Sequence, residues 1–150
     1  MHVIVAAAGR MKDSPLRAAW DDYAARLGWK LDLREVEARA ADGPQRVAEE
    51  AALLRKAAAP AARRVALDRG GRSVASTALA GQHARRRDDA ALPIAFVIGG
   101  ADGLARDLVA EADLVISFGH QTWPHLLARV MLAEQLYRCQ AILAGHPYHR

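Results

Sequence analysis

The sequence has one cysteine, few lysines and no long apolar run. The single cysteine, Cys139, excludes an internal disulfide, and its place in an apolar helical pattern predicts a buried, unreactive thiol. No apolar segment approaches the roughly 20 residues that a membrane-spanning helix needs, and no basic stretch followed by an apolar one opens the chain. We therefore expect a cytosolic protein with a single domain over residues 1–150.

Motifs that mark several common chemistries are also missing. The chain has no G-x-G-x-x-G dinucleotide fingerprint, no P-loop and no G-x-S-x-G nucleophile elbow. None of its histidines follows the HExxH spacing, and Cys139 has no partner cysteine, so we expect no metal. A flavodoxin-like or nucleotide-binding protein is accordingly a weak alternative.

The basic residues are almost all arginine. The net charge is +4, and of 21 basic residues only Lys12, Lys30 and Lys56 are lysine. Arginine suits bidentate contact with phosphate and stacking on bases, although a genome rich in G and C would produce the same bias. The charge alone is a weak indication of a polyanionic partner.

Short β-branched runs alternate with longer alanine-rich segments, which is typical of an α/β fold. The predicted strands are 2–9, 30–37, 63–68, 92–100 and 112–119. The predicted helices are 15–28 with Ser14 as cap, 44–59 after Asp42, 74–87, 103–111 and 124–143. The uninterrupted apolar run 94–98 predicts a strand covered on both faces, whereas 30–37 alternates and belongs near an edge. We predict a mostly parallel five-stranded sheet with helices on both faces.

The last predicted helix is apolar at nearly every angle. A helix that covers one side of a sheet needs an apolar stripe of only about 100°. The additional apolar surface predicts that a second subunit covers part of this helix, that the helix is threaded into its own domain, or both.

Two loops and the end of the chain carry candidate functional residues. The segment "VIGGADGL" (97–104) places three glycines after the buried strand, at the sheet edge where α/β proteins bind ligands, although a tight turn explains them equally well. The segment "SFGHQTWPHLLAR" (117–129) holds Thr122 as a candidate cap, and His125 and Arg129 share one helical face. The alternative is a purely structural role, in which Arg129 forms an ion pair with an acidic side chain and His125 forms a hydrogen bond with the loop. Glu134 precedes Arg138 by four residues, which is the favourable order for an ion pair on a helix, and we expect this pair to be structural.

Together, "FVIGGADGL", "TWPHLLARVMLAEQLYR" and the closing "HPYHR" resemble the RlmH family, the pseudouridine N3-methyltransferases of the large ribosomal subunit, in the SPOUT superfamily. The resemblance spans nearly the whole chain, and "VALDRGGRSVAS" fits that family's third strand and following loop. It implies a carboxyl-terminal trefoil knot, a homodimer with active sites at the subunit interface, and S-adenosylmethionine as methyl donor. As acceptor it implies a pseudouridine in helix 69 of 23S ribosomal RNA within the assembled ribosome.

The resemblance also implies the site residues. Those expected to bind the donor lie in three loops: Leu67, Gly99, Phe118, Gly119, His120, Gln121, Thr122 and Trp123. For catalysis we expect His149 as base, Tyr148 as stacking partner and Arg150 as phosphate clamp, with His125 and Arg129 nearby. A docked but passive tail is the alternative.

Three positions depart from the family pattern: Trp123, Leu126 and Cys139. Two other functions stay open. One is a SPOUT methyltransferase for another RNA such as a transfer RNA, and the other is a non-catalytic ribosome-binding or assembly factor. The modest charge and the lack of a separate RNA-binding module favour a large preformed target, the ribosome.

Overall fold

The computed structural model describes residues 1–84 and 92–149, which form one five-stranded sheet with helices on both faces. The strands are β1 (His2–Ala8), β2 (Lys30–Val36), β3 (Arg63–Ser73), β4 (Ile94–Ile98) and β5 (Leu114–Ser117). The helices are α1 (Leu16–Arg26), α2 (Gly43–Ala58), α3 (Ser76–Ala84), α4 (Arg106–Ala110) and α5 (His125–Leu143). The strand order is β2-β1-β4-β3-β5, and every strand pairing is parallel, where the sequence predicted a mostly parallel sheet.

Two apolar clusters lie on opposite faces of the sheet. One gathers side chains of α1 and α5 with the β1 and β4 residues that point to that face, and the other gathers α2 and α4 with the alternate residues. The run 94–98 is buried throughout, and β2 lies at one edge of the sheet with its side chains partly exposed, as predicted. The carboxyl ends of all five strands therefore meet at a single edge.

Strand β3 is longer than the sequence predicted. It was expected to end at Asp68, but its pairing with β5 resumes at Arg72 and Ser73 after an irregular stretch. Gly71 permits this return, because a Cβ there would lie 2.6 Å from the carbonyl carbon of Ile116. The extra length brings the loop after Leu67 over the carboxyl edge of the sheet.

Several helix boundaries also differ from the predictions. Helix α4 begins at Arg106 and not at residue 103, because Gly103 has a φ of +80° and belongs to the preceding turn. Thr122 is not a cap, since α5 begins at His125 after an extended Pro124. Ser14 is not the cap of α1 either, since that helix begins at Leu16 with Pro15 at the cap position, although the Ser14 hydroxyl accepts a hydrogen bond from the Leu16 amide at 3.2 Å. The predicted extension of the third helix to residue 87 lies outside the described residues.

Helix α5 lies between α1 and α3 on one face of the sheet. Its Cys139 is fully buried, and burial raises the pKa of the thiol to about 12, which confirms the unreactive cysteine. No helix in the part of the chain that the structure describes has the length and apolarity to cross a membrane. The knot that the family resemblance implies stays a prediction.

Candidate active site: a cavity at the sheet edge and a folded-back tail

A cavity of about 970 Å³ opens at the carboxyl edge of the sheet. Three segments line it: the end of β3 with its loop, the glycine loop after β4, and the loop between β5 and α5. It contains every residue predicted to bind the donor: Leu67, Gly99, Phe118, Gly119, His120, Gln121, Thr122 and Trp123. Residues up to 56 positions apart in sequence thus converge on one space of the size that small ligands occupy.

The glycine loop is a tight turn that also lines the cavity, so both readings of "VIGGADGL" hold. The Gly103 amide donates to the Gly100 carbonyl at 3.1 Å, which closes the turn. A Cβ on Gly99 would lie 2.5 Å from the carbonyl carbon of Gly103. Because that neighbour is backbone and cannot rotate away, only glycine fits here.

The loop between β5 and α5 is held by its own hydrogen bonds. The Ser117 hydroxyl donates to the Gly119 carbonyl at 2.7 Å, and Gly119 has a φ of +109°, which favours glycine. The Trp123 indole donates to the Phe118 carbonyl at 3.3 Å. This internal bonding keeps His120, Gln121 and Thr122 exposed at the cavity wall.

Arg129 lies under the cavity and is fully buried. Its guanidinium donates to the Ala8 and Gly9 carbonyls, the latter at 2.9 Å, and to the Glu35 carboxylate at 2.9 Å. Glu35 also accepts the Met11 amide at 2.8 Å. The side chain therefore ties the loop after β1 to α5, which agrees with the alternative that Arg129 pairs with an acid.

His125 lines the cavity one helical turn before Arg129. A Cβ on Gly9 would lie 3.0 Å from His125 Nε2, so the loop that Arg129 holds packs directly against this ring. Burial lowers the pKa of His125, the positive charge of Arg129 lowers it further, and buried Glu50 partly opposes both. His125 is therefore a neutral hydrogen-bonding group at pH 7.

The end of the chain turns back along α5. Gly145 has a φ of +65°, and the His146 amide donates to the Ala141 carbonyl at 2.9 Å. This is a Schellman motif, in which a left-handed residue reverses the chain after the helix. The tail that follows consequently runs back along the surface of its own helix.

Tyr148 and His149 bind the ion pair predicted on α5. Arg138 lies 2.6 Å from Glu134, and the Tyr148 hydroxyl donates to Glu134 at 3.1 Å. Arg138 lies over the Tyr148 ring, whose pKa rises to about 12 through burial and its hydrogen bonds to Tyr23 and Glu134. The tail is thus docked by a phenol that stays protonated.

The contact between Arg138 and His149 determines which ring nitrogen of the histidine carries the proton. His149 Nδ1 lies 3.4 Å from Arg138 Nη1. Arginine can only donate, so Nδ1 is the acceptor and the proton of a neutral ring is on Nε2. Arg150, the predicted phosphate clamp, lies outside the described residues.

The tail and the cavity lie at different positions along α5. His125 lies at the cavity, and Glu134 and Arg138, which the tail contacts, are nine and thirteen residues further along the helix, or about 14 Å and about 20 Å at 1.5 Å per residue. Within the described residues, neither Tyr148 nor His149 lines the cavity of its own chain.

Sequence reasoning missed several residues of the site. Asp68, Arg69, Asp102 and Arg106 also line the cavity. The first two directly follow Leu67 at a strand's carboxyl end, which was a usable signal. Buried Glu50 was not predictable: its carboxylate pairs with Arg46 at 3.0 Å and would lie 3.0 Å from a Cβ on Gly100. No cluster of metal-ligating side chains occurs within residues 1–84 and 92–149.

Comparison with known proteins agrees with this architecture. A family model described as "Predicted SPOUT methyltransferase" matches residues 1–149. A crystal structure of a probable methyltransferase from Bordetella pertussis superposes with a TM-score of 0.63 at 20% identity, covering 92% of this chain and 95% of that one. A probable methylase family protein from Haemophilus influenzae also gives a TM-score of 0.63, at 12% identity, covering 99% of this chain and 70% of that one.

Two curated relatives are much closer in sequence. Both are named "Ribosomal RNA large subunit methyltransferase H". The protein from Rhodospirillum centenum is 52% identical over 151 residues, covering 100% of this chain and 99% of the relative. The protein from Rhodopseudomonas palustris strain TIE-1 is 46% identical over 159 residues, with the same coverage.

The parallel sheet and the glycine-lined cavity at its carboxyl edge define the class: an α/β domain with a ligand site at the edge of its sheet. More particularly, the family model and the full-length relatives show that the chain belongs to the SPOUT methyltransferase family and groups with the proteins named large subunit methyltransferase H.

Proposed function

We propose that the protein transfers a methyl group from S-adenosylmethionine to N3 of a pseudouridine in helix 69 of 23S ribosomal RNA. The observation that carries the proposal is the convergence of all eight predicted donor-binding residues on one cavity. The names of the full-length relatives support ribosomal RNA as the substrate. Assembled ribosomes in the cytoplasm are the proposed setting.

The cavity fits S-adenosylmethionine in size and in chemistry. Its volume of about 970 Å³ lies in the range of small-molecule sites. Leu67 and Phe118 supply apolar cover, the packing of Gly99 against Gly103 shapes one wall, and no atom lies within 4 Å of where a Cβ on Gly119 would stand. When bound there, S-adenosylmethionine supplies an electrophilic methyl group.

The acceptor nitrogen requires a base, because N3 of pseudouridine carries an imide proton. We assign this role to His149, with Tyr148 stacking on the nucleobase and Arg150 binding phosphate. Since His149 Nδ1 accepts from Arg138 in the docked tail, it must leave that contact before it can take the N3 proton. With S-adenosylmethionine bound, the deprotonated N3 would form its bond to the methyl carbon as the carbon–sulfur bond breaks and S-adenosylhomocysteine leaves, and the His149 imidazolium would release its proton to water.

The active site is proposed to be shared between two subunits. The tail contacts α5 at Glu134 and Arg138, about 14–20 Å along the helix from His125, so we propose that a partner's tail completes each site. Large hydrophobic side chains are exposed near both ends of α5, namely Trp123 and Leu143 at 38% each. Such surface is suited to burial between two copies.

Incubation with methyl-labelled donor and either ribosomes or naked ribosomal RNA tests the proposal. We expect label on a single pseudouridine of helix 69 in ribosomes, located by nuclease digestion and mass spectrometry. Label in transfer RNA would show a different substrate. No heat on mixing with S-adenosylmethionine in calorimetry would instead indicate a non-catalytic ribosome-binding factor.

Deleting residues 147–150 tests the role of the tail. The deletion leaves the helix and the cavity intact, so the truncated chain should remain a dimer and bind donor with unchanged affinity. We expect it to lose methylation of ribosomes. Normal turnover by the truncated protein would show that the tail is passive.

A further inference from the structure

Arg69 and Arg106 stand on two different walls of the cavity. Arg69 belongs to the irregular stretch of β3, and Arg106 opens α4 after the glycine loop. Both side chains are exposed, and within the described chain neither guanidinium lies within 4 Å of a carboxylate oxygen. The cavity is therefore flanked by two positive charges that the fold does not neutralise.

Arginines away from the cavity behave differently. Most of those the structure describes are paired with a carboxylate, among them Arg17, Arg26, Arg46, Arg55, Arg129 and Arg138. Arg55 alone contacts both Asp107 and Glu111, at 2.6 Å and 2.8 Å. Arg39 and Arg72 also have no carboxylate within 4 Å in the described chain, so Arg69 and Arg106 are distinguished by lacking an ion pair while lining the cavity.

The acidic residues of the cavity leave these arginines available. Asp68 and Asp102 also line it. Asp68 uses Oδ1 to accept the Gly70 amide at 2.7 Å, which shapes the loop. The neighbouring Arg69 side chain is exposed and forms no ion pair within the described structure, so a polyanion can reach its guanidinium.

We propose that Arg69 and Arg106 bind the backbone phosphates of RNA on the two sides of the target nucleotide. The inference rests on the proposed function and names the contacts that hold the substrate. An exposed guanidinium matches a phosphate with two parallel hydrogen bonds. Arg129 cannot serve, because it is fully buried and its two terminal nitrogens already donate to Glu35, Ala8 and Gly9.

The two residues differ from the donor-binding set in what they contribute. Phosphate contacts position a nucleic acid and make its binding depend on salt. They do not alter the affinity of the cavity for a small donor. A measurement that separates these two properties therefore identifies the role.

The test uses the variants Arg69→Gln and Arg106→Gln and their combination, assayed with ribosomes at several salt concentrations. The matched control is Lys56→Gln. Lys56 is also an exposed cation without a carboxylate within 4 Å in the described chain, but it lies in the last turn of α2, at the opposite edge of the sheet. Donor affinity is measured by calorimetry on each variant.

For the double variant we expect KM for ribosomes to rise about 10- to 100-fold and the slope of log KM against log salt to fall by about 1.5 to 2. We expect donor affinity to stay unchanged, and the control to behave as the unaltered protein. A loss of donor affinity with unchanged KM would show that the arginines bind the donor. Unchanged KM and salt slope would also overturn the inference.

Failure of the Arg69 and Arg106 assignment can be distinguished from failure of the proposed function. If the unaltered protein does not methylate ribosomes, the proposed function fails. If it does, and the double variant matches it in KM and salt dependence, only the assignment of Arg69 and Arg106 fails.

Discussion

The two arginines of α5 show how one helix serves two ends of a site in different ways. Arg129, near its start, is fully buried and holds the loop after β1 through two carbonyls and Glu35. Arg138, nearer its end, is 26% exposed and holds the tail through Glu134 and His149. The cavity end is built from buried contacts and backbone packing, and the tail end from surface contacts that can open.

This contrast suits the proposed chemistry. A donor site gains from a rigid wall, since methyl transfer needs the reacting atoms about 3 Å apart and aligned. A tail that must leave Arg138 to act as base, and to admit a nucleotide, gains from contacts that each cost little to break.

The largest expected effect is on stability when Arg129 is replaced. Arg129→Met leaves the Glu35 carboxylate and two carbonyls without their donor, so we expect a loss of about 3–5 kcal/mol in the free energy of unfolding. Arg138→Met is the matched control, and loss of its half-buried pair with Glu134, which water still reaches, should cost about 1 kcal/mol. Urea unfolding measures both, and equal losses would contradict the contrast between the two ends.

Backbone packing at the cavity gives the next effect. A Cβ on Gly99 would meet the Gly103 backbone, whereas one on Gly81 in α3 would meet nothing within 4 Å. Gly99→Ala should destabilise by about 1–3 kcal/mol and weaken donor binding. Gly81→Ala should instead stabilise by about 0.5–1 kcal/mol, because alanine favours the helix. Thermal unfolding and calorimetry check both, and intact donor binding by Gly99→Ala would show that the loop can move.

Releasing the tail should change activity more than stability. Glu134→Gln weakens the pair with Arg138 and the hydrogen bond from Tyr148. We expect less than about 1 kcal/mol of destabilisation, faster proteolysis of the tail and an altered kcat on ribosomes. Tyr148→Phe serves as comparison, since it removes only the hydroxyl. Unchanged proteolysis in both variants would mean that other contacts dock the tail.

The smallest expected effect concerns pH at the cavity end. The pKa of His125 is lowered in the folded state by burial and by Arg129, so the unfolded chain binds the proton more readily. This contribution to stability is fully present above the unfolded pKa of about 6.5 and is lost as the pH falls from there through the lowered pKa of the folded state. The free energy of unfolding should therefore be lower at pH 5.5 than at pH 7.5. In His125→Asn this drop should be smaller, because the titrating imidazole is gone. An unchanged difference would show that His125 stays accessible to protons when folded.

Much of the fold and most of the donor site were predictable from local patterns. The apolar run 94–98 predicted the buried strand, and alternation in 30–37 predicted the edge. Motif resemblance predicted the donor residues that the cavity brings together. The extension of β3 to Ser73 was not predictable from the sequence. The strand is irregular between Leu67 and Arg72, and Arg72 and Ser73 are in a strand only because they pair with β5.

The sequence by itself determined the α/β class, the buried cysteine, the pairing of Glu134 with Arg138 and the residues of the loops that line the cavity, since each depends on local spacing or on a motif. Only the tertiary structure decided that Arg129 binds Glu35, which lies 94 positions away, that the tail docks on its own helix, and that Arg69 and Arg106 flank the cavity unpaired within the described chain. The physical reason is that burial and long-range contacts decide whether a charge is neutralised, and neither is encoded in the spacing of neighbouring residues.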